Sequence, residues 1–364
     1  DQMQWNRQQA SLVWRLLMGQ DLDLRTVVYH HRLDRAWGKV NGFADGTNIH
    51  DLLYADPTAG QAEAYLAVLQ GRTDTNGVGD RILKGTNDRQ FSNTGVATTG
   101  HWRLNGETIA NELEFGLRWH SDDVVRLHTE RPYEMRDGRL TKLDAPTETT
   151  LDSHSTAHAL AFHLHNDFTV GRLSLLPGIR HERITTQTGT HASGPIDPKT
   201  HSIWLPGMGA YLQATDEIGL LAGVNRGFSP IPPGSPADAV AETAWNMEAG
   251  LRLSHGAAHA EFVGFLSDYD NLTGQCTLSG GCTDAQLDAQ HNGGAADVRG
   301  IEATAGHLMP IGGGFSLGLD AAYALTDAQF SLGFLSEFPQ FGRVESGDVL
   351  PYVPTHQGQA ALRV

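Results

Sequence analysis

Along most of the chain apolar and polar residues alternate one by one, the period of a strand whose two faces meet different surroundings. From 109 to 120, Ile109, Asn111, Leu113, Phe115, Leu117 and Trp119 fall on one face, and Ala110, Glu112, Glu114, Gly116, Arg118 and His120 on the other. Residues 315–326 set Phe315, Leu317, Leu319, Ala321, Tyr323 and Leu325 against Ser316, Gly318, Asp320, Ala322, Ala324 and Thr326. Trp245, Met247 and Leu251 oppose Asn246, Glu248 and Arg252, and Ile218, Leu220 and Val224 oppose Gly219, Gly223 and Asn225. This patterning predicts an all-β chain with strands at 7–18, 22–35, 90–104, 107–120, 153–166, 171–183, 201–214, 218–229, 243–255, 258–270, 298–309, 314–327 and 355–364.

The connections then sort into two kinds. Short turns are expected near 19–21, 105–106, 167–170, 215–217, 256–257 and 310–313, and long loops near 36–89, 121–152, 184–200, 230–242, 271–297 and 328–354. The two kinds alternate without exception. A β-sandwich would bury its greasy face against a second sheet and has no reason for such sorting. A transmembrane antiparallel β-barrel does, because one rim faces the periplasm and the other the outside. Asn105-Gly106 between two alternating runs predicts a type I′ turn with positive φ at both central residues. Many strands exceed the roughly 9 to 11 residues that cross a bilayer, so they are expected to extend beyond the outer leaflet.

Composition narrows the picture further. No run approaches 18 consecutive apolar residues, and the mean hydropathy is negative. Both facts exclude a transmembrane helix and suit a barrel, in which every second residue faces lipid. A net charge of −16 argues against a nucleic-acid partner. The 42 glycines fit tight turns and a crowded interior. Cys276 and Cys282, separated by Thr277-Leu278-Ser279-Gly280-Gly281, are expected to close a small disulfide loop, two free thiols being the alternative. Trp14, Trp37, Trp102, Trp119, Trp204 and Trp245 suit interfacial girdles, or ordinary strand packing.

Candidate chemistry is sparse. His163 and His165 share a strand face, yet without a cysteine or carboxylate placed beside them they read as lumen-lining histidines, and no metal site is expected. Asp268-Tyr269-Asp270-Asn271 lacks the glycine and distal glutamate of an EF-hand loop. Neither Gly-x-Ser-x-Gly nor His-Glu-x-x-His is present, so the chain is not expected to be an enzyme. Arginines near the expected outer ends are more suggestive: Arg32 and Arg35, Arg118 with His120, and Arg226. Guanidinium groups clamp carboxylates and phosphates, so an anionic iron chelate would suit them; salt bridges with Glu112, Glu114, Glu248 or Glu302 are the alternative. Asp1-Gln2-Met3-Gln4 does not open a signal peptide, and the chain stops within an expected strand at Val364. With the odd strand count, both ends are expected to be cuts in a longer barrel.

A family resemblance rests on motifs in order along the chain. Gly223-Val224-Asn225-Arg226-Gly227-Phe228-Ser229-Pro230, Glu242-Thr243-Ala244-Trp245-Asn246-Met247-Glu248-Ala249-Gly250-Leu251-Arg252, Asp268-Tyr269-Asp270-Asn271-Leu272, Val298-Arg299-Gly300-Ile301-Glu302 and Pro351-Tyr352-Val353-Pro354-Thr355-His356-Gln357 resemble the mid-barrel of TonB-dependent outer-membrane receptors. Arg25-Thr26-Val27-Val28-Tyr29-His30-His31, Arg35-Ala36-Trp37-Gly38-Lys39-Val40-Asn41-Gly42-Phe43 and Gly116-Leu117-Arg118-Trp119-His120-Ser121-Asp122-Asp123 are similar to the ferric dicitrate (siderophore) receptor branch. The resemblance implies a barrel of about 22 strands, of which about 13 are here, with the N-terminal plug and closing strands outside this chain. It also implies residence in the Gram-negative outer membrane, contact with its lipid, and energy from the TonB-ExbB-ExbD complex acting through the plug. The ligand would be a ferric chelate carrying its own iron, with no separate cofactor; Arg32, Arg35, Arg118, His120 and Arg226 are the expected ligand contacts. A carbohydrate or cobalamin receptor, a passive channel and a lipid-acting barrel enzyme are the other readings.

Overall fold

The computed structural model describes residues 2–49, 52, 55–235, 239–275, 290–292, 294–335 and 342–364. Its strands are β1 (Gln2–Met18), β2 (Leu22–Phe43), β3 (Ile82–Arg103), β4 (Ile109–Arg136), β5 (Arg139–Lys142), β6 (Glu148–Val170), β7 (Leu173–Thr190), β8 (Gly194–Gln213) and β9 (Ile218–Ser229). There follow β10 (Glu242–His255), β11 (Ala258–Asp270), β12 (Thr273–Gln275), β13 (Gln290–Asn292), β14 (Ala296–Gly312), β15 (Phe315–Phe330), β16 (Phe334–Leu335), β17 (Arg343–Val344) and β18 (His356–Arg363). One sheet runs β1-β2-β3-β4-β6-β7-β8-β9-β10-β11-β14-β15-β18, with β5 added to the end of β4. Its ladders are antiparallel, and among the described residues none joins β1 to β18. All thirteen expected strands are present in the expected order, and β12–β13 and β16–β17 form separate short ladders.

Register places the alternating residues on two consistent faces. Leu12, Val28, Val96, Trp119 and Leu160 stand in one cross-strand row, and Leu117, Phe162 and Trp204 belong to the row set by Leu117↔Phe162 and His181↔Trp204. These residues are exposed, as are Leu220, Val224, Trp245, Met247, Phe262, Ile301 and Leu319 on the same face. Five of the six girdle tryptophans share it: Trp14, Trp102, Trp119, Trp204 and Trp245, while Trp37 lies on the polar face. An apolar face left uncovered across thirteen strands suits lipid better than water.

Two expected long loops prove to be largely strand, and a third is shortened. β4 continues to Arg136 and β6 starts at Glu148, replacing the loop expected at 121–152. β7 and β8 meet across only His191–Ser193, where a loop was expected at 184–200. β2 and β3 extend to Phe43 and from Ile82, shortening the loop expected at 36–89. The physical reason is that beyond the apolar band both faces of a strand meet water. The period-two signal then disappears while the backbone ladder persists. The Asn105-Gly106 turn also differs: neither residue has positive φ, and the connection spans Leu104–Thr108. Gly106 N–H donates to Ile109 O (2.8 Å), and Asn105 Oδ1 accepts from Asn111 N–H (3.2 Å).

The connection after β2 carries helix α1 (Gly60–Leu69), which the sequence patterning did not predict. Its Ala62, Tyr65 and Val68 pack with Phe43, Leu52, Ile82 and Met135 into a buried cluster edged by Val40 and Tyr133. Tyr65 stacks on Phe43 at 4.1 Å between ring centroids. By register Val40, Ile82, Tyr133 and Met135 lie on the apolar-face side, so this cap docks on the outside of the β2–β4 extension.

Candidate functional site

The polar face of β2, β3 and β4 carries a connected side-chain cluster. Tyr29, Gly95 and His120 stand in one cross-strand row, and Gly95 has no side chain to block the phenol. A Cβ there would collide with the Tyr29 hydroxyl and lie 2.9 Å from Trp119 O. Tyr29 Oη therefore reaches across β3 to within 2.6 Å of His120 Nδ1. Arg118 donates to that same hydroxyl from Nε (3.2 Å) and Nη2 (3.0 Å), and Nη2 lies 3.1 Å from His120 Nδ1. With two guanidinium donors on its oxygen, the phenol has its own proton left for Nδ1. His120 then carries hydrogen on Nε2 and donates it to Asp122 Oδ2 at 2.9 Å.

These groups border a cavity of about 430 Å³, within the size range of small-ligand sites. Its wall includes Arg118, His120, Asp122, Arg180 and Glu182, and its far side is Pro230–Pro233 from the connection after β9. That connection is held partly by Lys199, whose Nζ donates to Ser235 O at 2.5 Å. Both carboxylates of the wall are engaged. Glu182 takes Arg180 (Nε–Oε1 2.7 Å) and Asp122 takes His120, whereas Arg118 has no carboxylate partner among the described residues. An exposed guanidinium whose partners are neutral can turn its donors to an anion, beginning with Nη1, which has no partner among the described residues.

The expected site residues separate by face. Arg118 and His120 are brought together; Arg35 shares their polar face but pairs in register with Arg89, which pairs with Arg126, eight residues from Arg118. At about 3.4 Å per residue that is about 27 Å along the strand. Arg35 lies with its guanidinium carbon 6.0 Å from the Phe91 ring centroid. Arg32 and Arg226 stand on the apolar-face side, Arg32 hydrogen bonded to Asp34 (3.1 Å) and Arg226 opposite Trp245. Cys276 and Cys282 lie outside the described residues. His163 donates from Nε2 to Glu114 (3.0 Å), and His154 from Nε2 to Asp123 (2.7 Å). Tyr29, Asp122 and the proline segment were not singled out by sequence as site residues; the register of Tyr29, Gly95 and His120 is the signal that unites them.

Comparison with known proteins bears on the fold of the wall that carries these residues. The family described as TonB dependent receptor-like, beta-barrel, matches residues 3–363. Among solved structures the chain resembles the ferric citrate transporter FecA in its unliganded form, at 18% identity and a TM-score of 0.67, covering 99% of this chain and 47% of that one. It also resembles BauA, the ferric preacinetobactin receptor from Acinetobacter baumannii (12%, TM-score 0.64, 98% and 49% covered). A third is the ferric yersiniabactin uptake receptor FyuA from Yersinia pestis (13%, TM-score 0.61, 99% and 47% covered). At such identities these likenesses speak for the fold, and the chain spans about half the length of each neighbour. With a match running from residue 3 to residue 363, this chain belongs to the TonB dependent receptor-like β-barrel family.

Proposed function

We propose that this chain is the larger part of a barrel wall in an outer-membrane receptor that imports a ferric chelate bearing carboxylates, ferric citrate first among them. The observation that carries the reading is Arg118: a lumenal guanidinium, unmatched by any described carboxylate, on the wall of a cavity of about 430 Å³. Carboxylate oxygens of a chelate would take the donors of Arg118, which Tyr29 and His120 hold at the cavity wall. Arg35, farther out on the same face, would meet the ligand earlier on its way in. The chelate brings its own iron as cargo, and no bond is made or broken by the protein.

In this proposal the rest of a longer protein supplies the plug, the closing strands and the contact with the TonB-ExbB-ExbD complex. The neighbours include proteins named for ferric citrate and for ferric siderophores, which supports an iron chelate over a carbohydrate or cobalamin. Growth on ferric citrate as the sole iron source tests it. Deleting the intact gene should abolish that growth and restoring it should bring it back; unchanged uptake after deletion would remove ferric citrate as the ligand.

A further inference from the structure

A second cleft lies on the opposite side of the wall, between the apolar band and the α1 cap. It has a volume of about 410 Å³ and is bordered by Gln2, Gln4, Lys84, Thr86, Arg131 and Thr147. Lys84 and Arg131 face each other directly across the β3–β4 ladder, an arrangement that costs stability between like charges. Neither has a carboxylate partner among the described residues: Lys84 lies over the Tyr133 ring (6.0 Å to its centroid), and Arg131 donates to Thr147 Oγ1. Glu130 also borders the cleft, but register turns it to the other face, where its Oε1 accepts from Asn41 Nδ2 (2.6 Å). In a chain of net charge −16, two opposed and unneutralised cations mark a place prepared for an anion.

The surroundings define what kind of anion. Hydroxyl and amide groups dominate the border, with one aromatic ring, Tyr133, shared with the cap core. This donor and acceptor set suits a sugar with attached phosphate better than a bare inorganic ion. The position defines the source. Lys84 lies twelve residues beyond Val96, where the apolar stretch of this face of β3 ends. That is about 40 Å along the strand, or about 28 Å above the apolar band at a tilt of about 45°. A group on the lipid side of the wall at that height meets the saccharide layer above the outer leaflet.

We propose that this cleft binds the phosphorylated saccharide of an outer-leaflet glycolipid, with Lys84 and Arg131 on the phosphate. The proposal rests on the apolar face being the lipid face, and it is independent of which chelate the lumen takes. The test uses the full-length receptor in detergent, with purified lipopolysaccharide, intact or enzymatically dephosphorylated, as the probe. Wild-type receptor should retain the intact form, and inorganic phosphate should compete only weakly. The substitution Lys84→Gln should weaken retention about tenfold and the Lys84→Glu/Arg131→Glu pair by more, since a charge-assisted contact corresponds to about a factor of ten or greater. Heat-modifiable migration of each variant checks that the barrel has folded. Equal retention by the folded double variant, equal retention of dephosphorylated glycolipid, or full displacement by inorganic phosphate would each overturn the assignment.

Discussion

Tyr29 and His120 are hydrogen bonded at 2.6 Å although they belong to strands that are not neighbours. The contact exists because Gly95, on the strand between them, leaves its place on the polar face empty. Gly95→Ala should therefore push the phenol away and cost about 1–3 kcal/mol of overpacking. In a Tyr29→Ala background the same change should cost less, the remainder being the crowding of the new Cβ against Trp119 O at 2.9 Å, and the difference is the coupling energy of a double-mutant cycle. Denaturant unfolding of the four proteins measures it. Equal costs in both backgrounds would mean that Gly95 serves another purpose.

The two faces predict opposite tolerance to charge. Leu160 is exposed on the apolar face and Ala159 borders the lumenal cavity on the next residue. Leu160→Arg should destabilise the folded receptor by about 2–4 kcal/mol if it lies near the bilayer midplane and less toward the interface, while Ala159→Ser should be nearly neutral. Folding equilibria in lipid vesicles decide it; a neutral Leu160→Arg would argue against lipid on that face.

The α1 cap should unfold separately from the wall. Phe43, 1% exposed, stacks on Tyr65 at the centre of the cap core. Phe43→Ala should cost about 3–5 kcal/mol of cap docking. Hydrogen exchange should then accelerate in Gly60–Leu69 and leave β9 to β11 protected.

Docking of the cap should also depend on pH. Asp45 accepts from Tyr65 Oη (2.6 Å), Gln61 Nε2 (2.9 Å) and Thr47 N–H (3.0 Å). The Tyr65 hydrogen bond, followed by the Thr47 amide, holds its carboxyl below the ordinary aspartate value. A depressed carboxyl stabilises the folded form fully above its unfolded pKa of about 3.9 and loses that contribution as pH falls through the folded value. Limited proteolysis within 55–81 should therefore rise below about pH 4. Asp45→Asn should raise cleavage at neutral pH and flatten this dependence; an unchanged acid response would assign it elsewhere.

How much of this was legible in the sequence depends on where each residue sits relative to the apolar band. Inside it, Leu113, Phe115, Leu117 and Trp119 alternate against Glu114, Gly116 and Arg118, and the strand could be read residue by residue. Past it, Asp122, Asp123, Val124 and Val125 carry no period, though β4 runs on to Arg136. The pairing of Arg118 with His120 follows from i, i+2 spacing on one strand. The contribution of Tyr29 does not, because it depends on cross-strand register over 91 residues. The same blindness covers face assignment: Arg32 and Arg35 differ by an odd number of positions, so one cannot join the other's face. Helix α1 escaped because its buried residues pack on the outside of the β2–β4 extension rather than on a core the helix pattern announces.

In the proposed function Arg118 receives an anionic ferric chelate in the lumen. The direct measurement is uptake of radiolabelled iron as ferric citrate by cells carrying the intact receptor, with Arg118→Gln compared against Arg226→Gln on the opposite face at matched surface expression. Arg118→Gln should weaken the apparent affinity about tenfold or more, the worth of a lost charge-assisted contact, and Arg226→Gln should leave it unchanged. Equal uptake by the Arg118 variant and the wild type would contradict the claim.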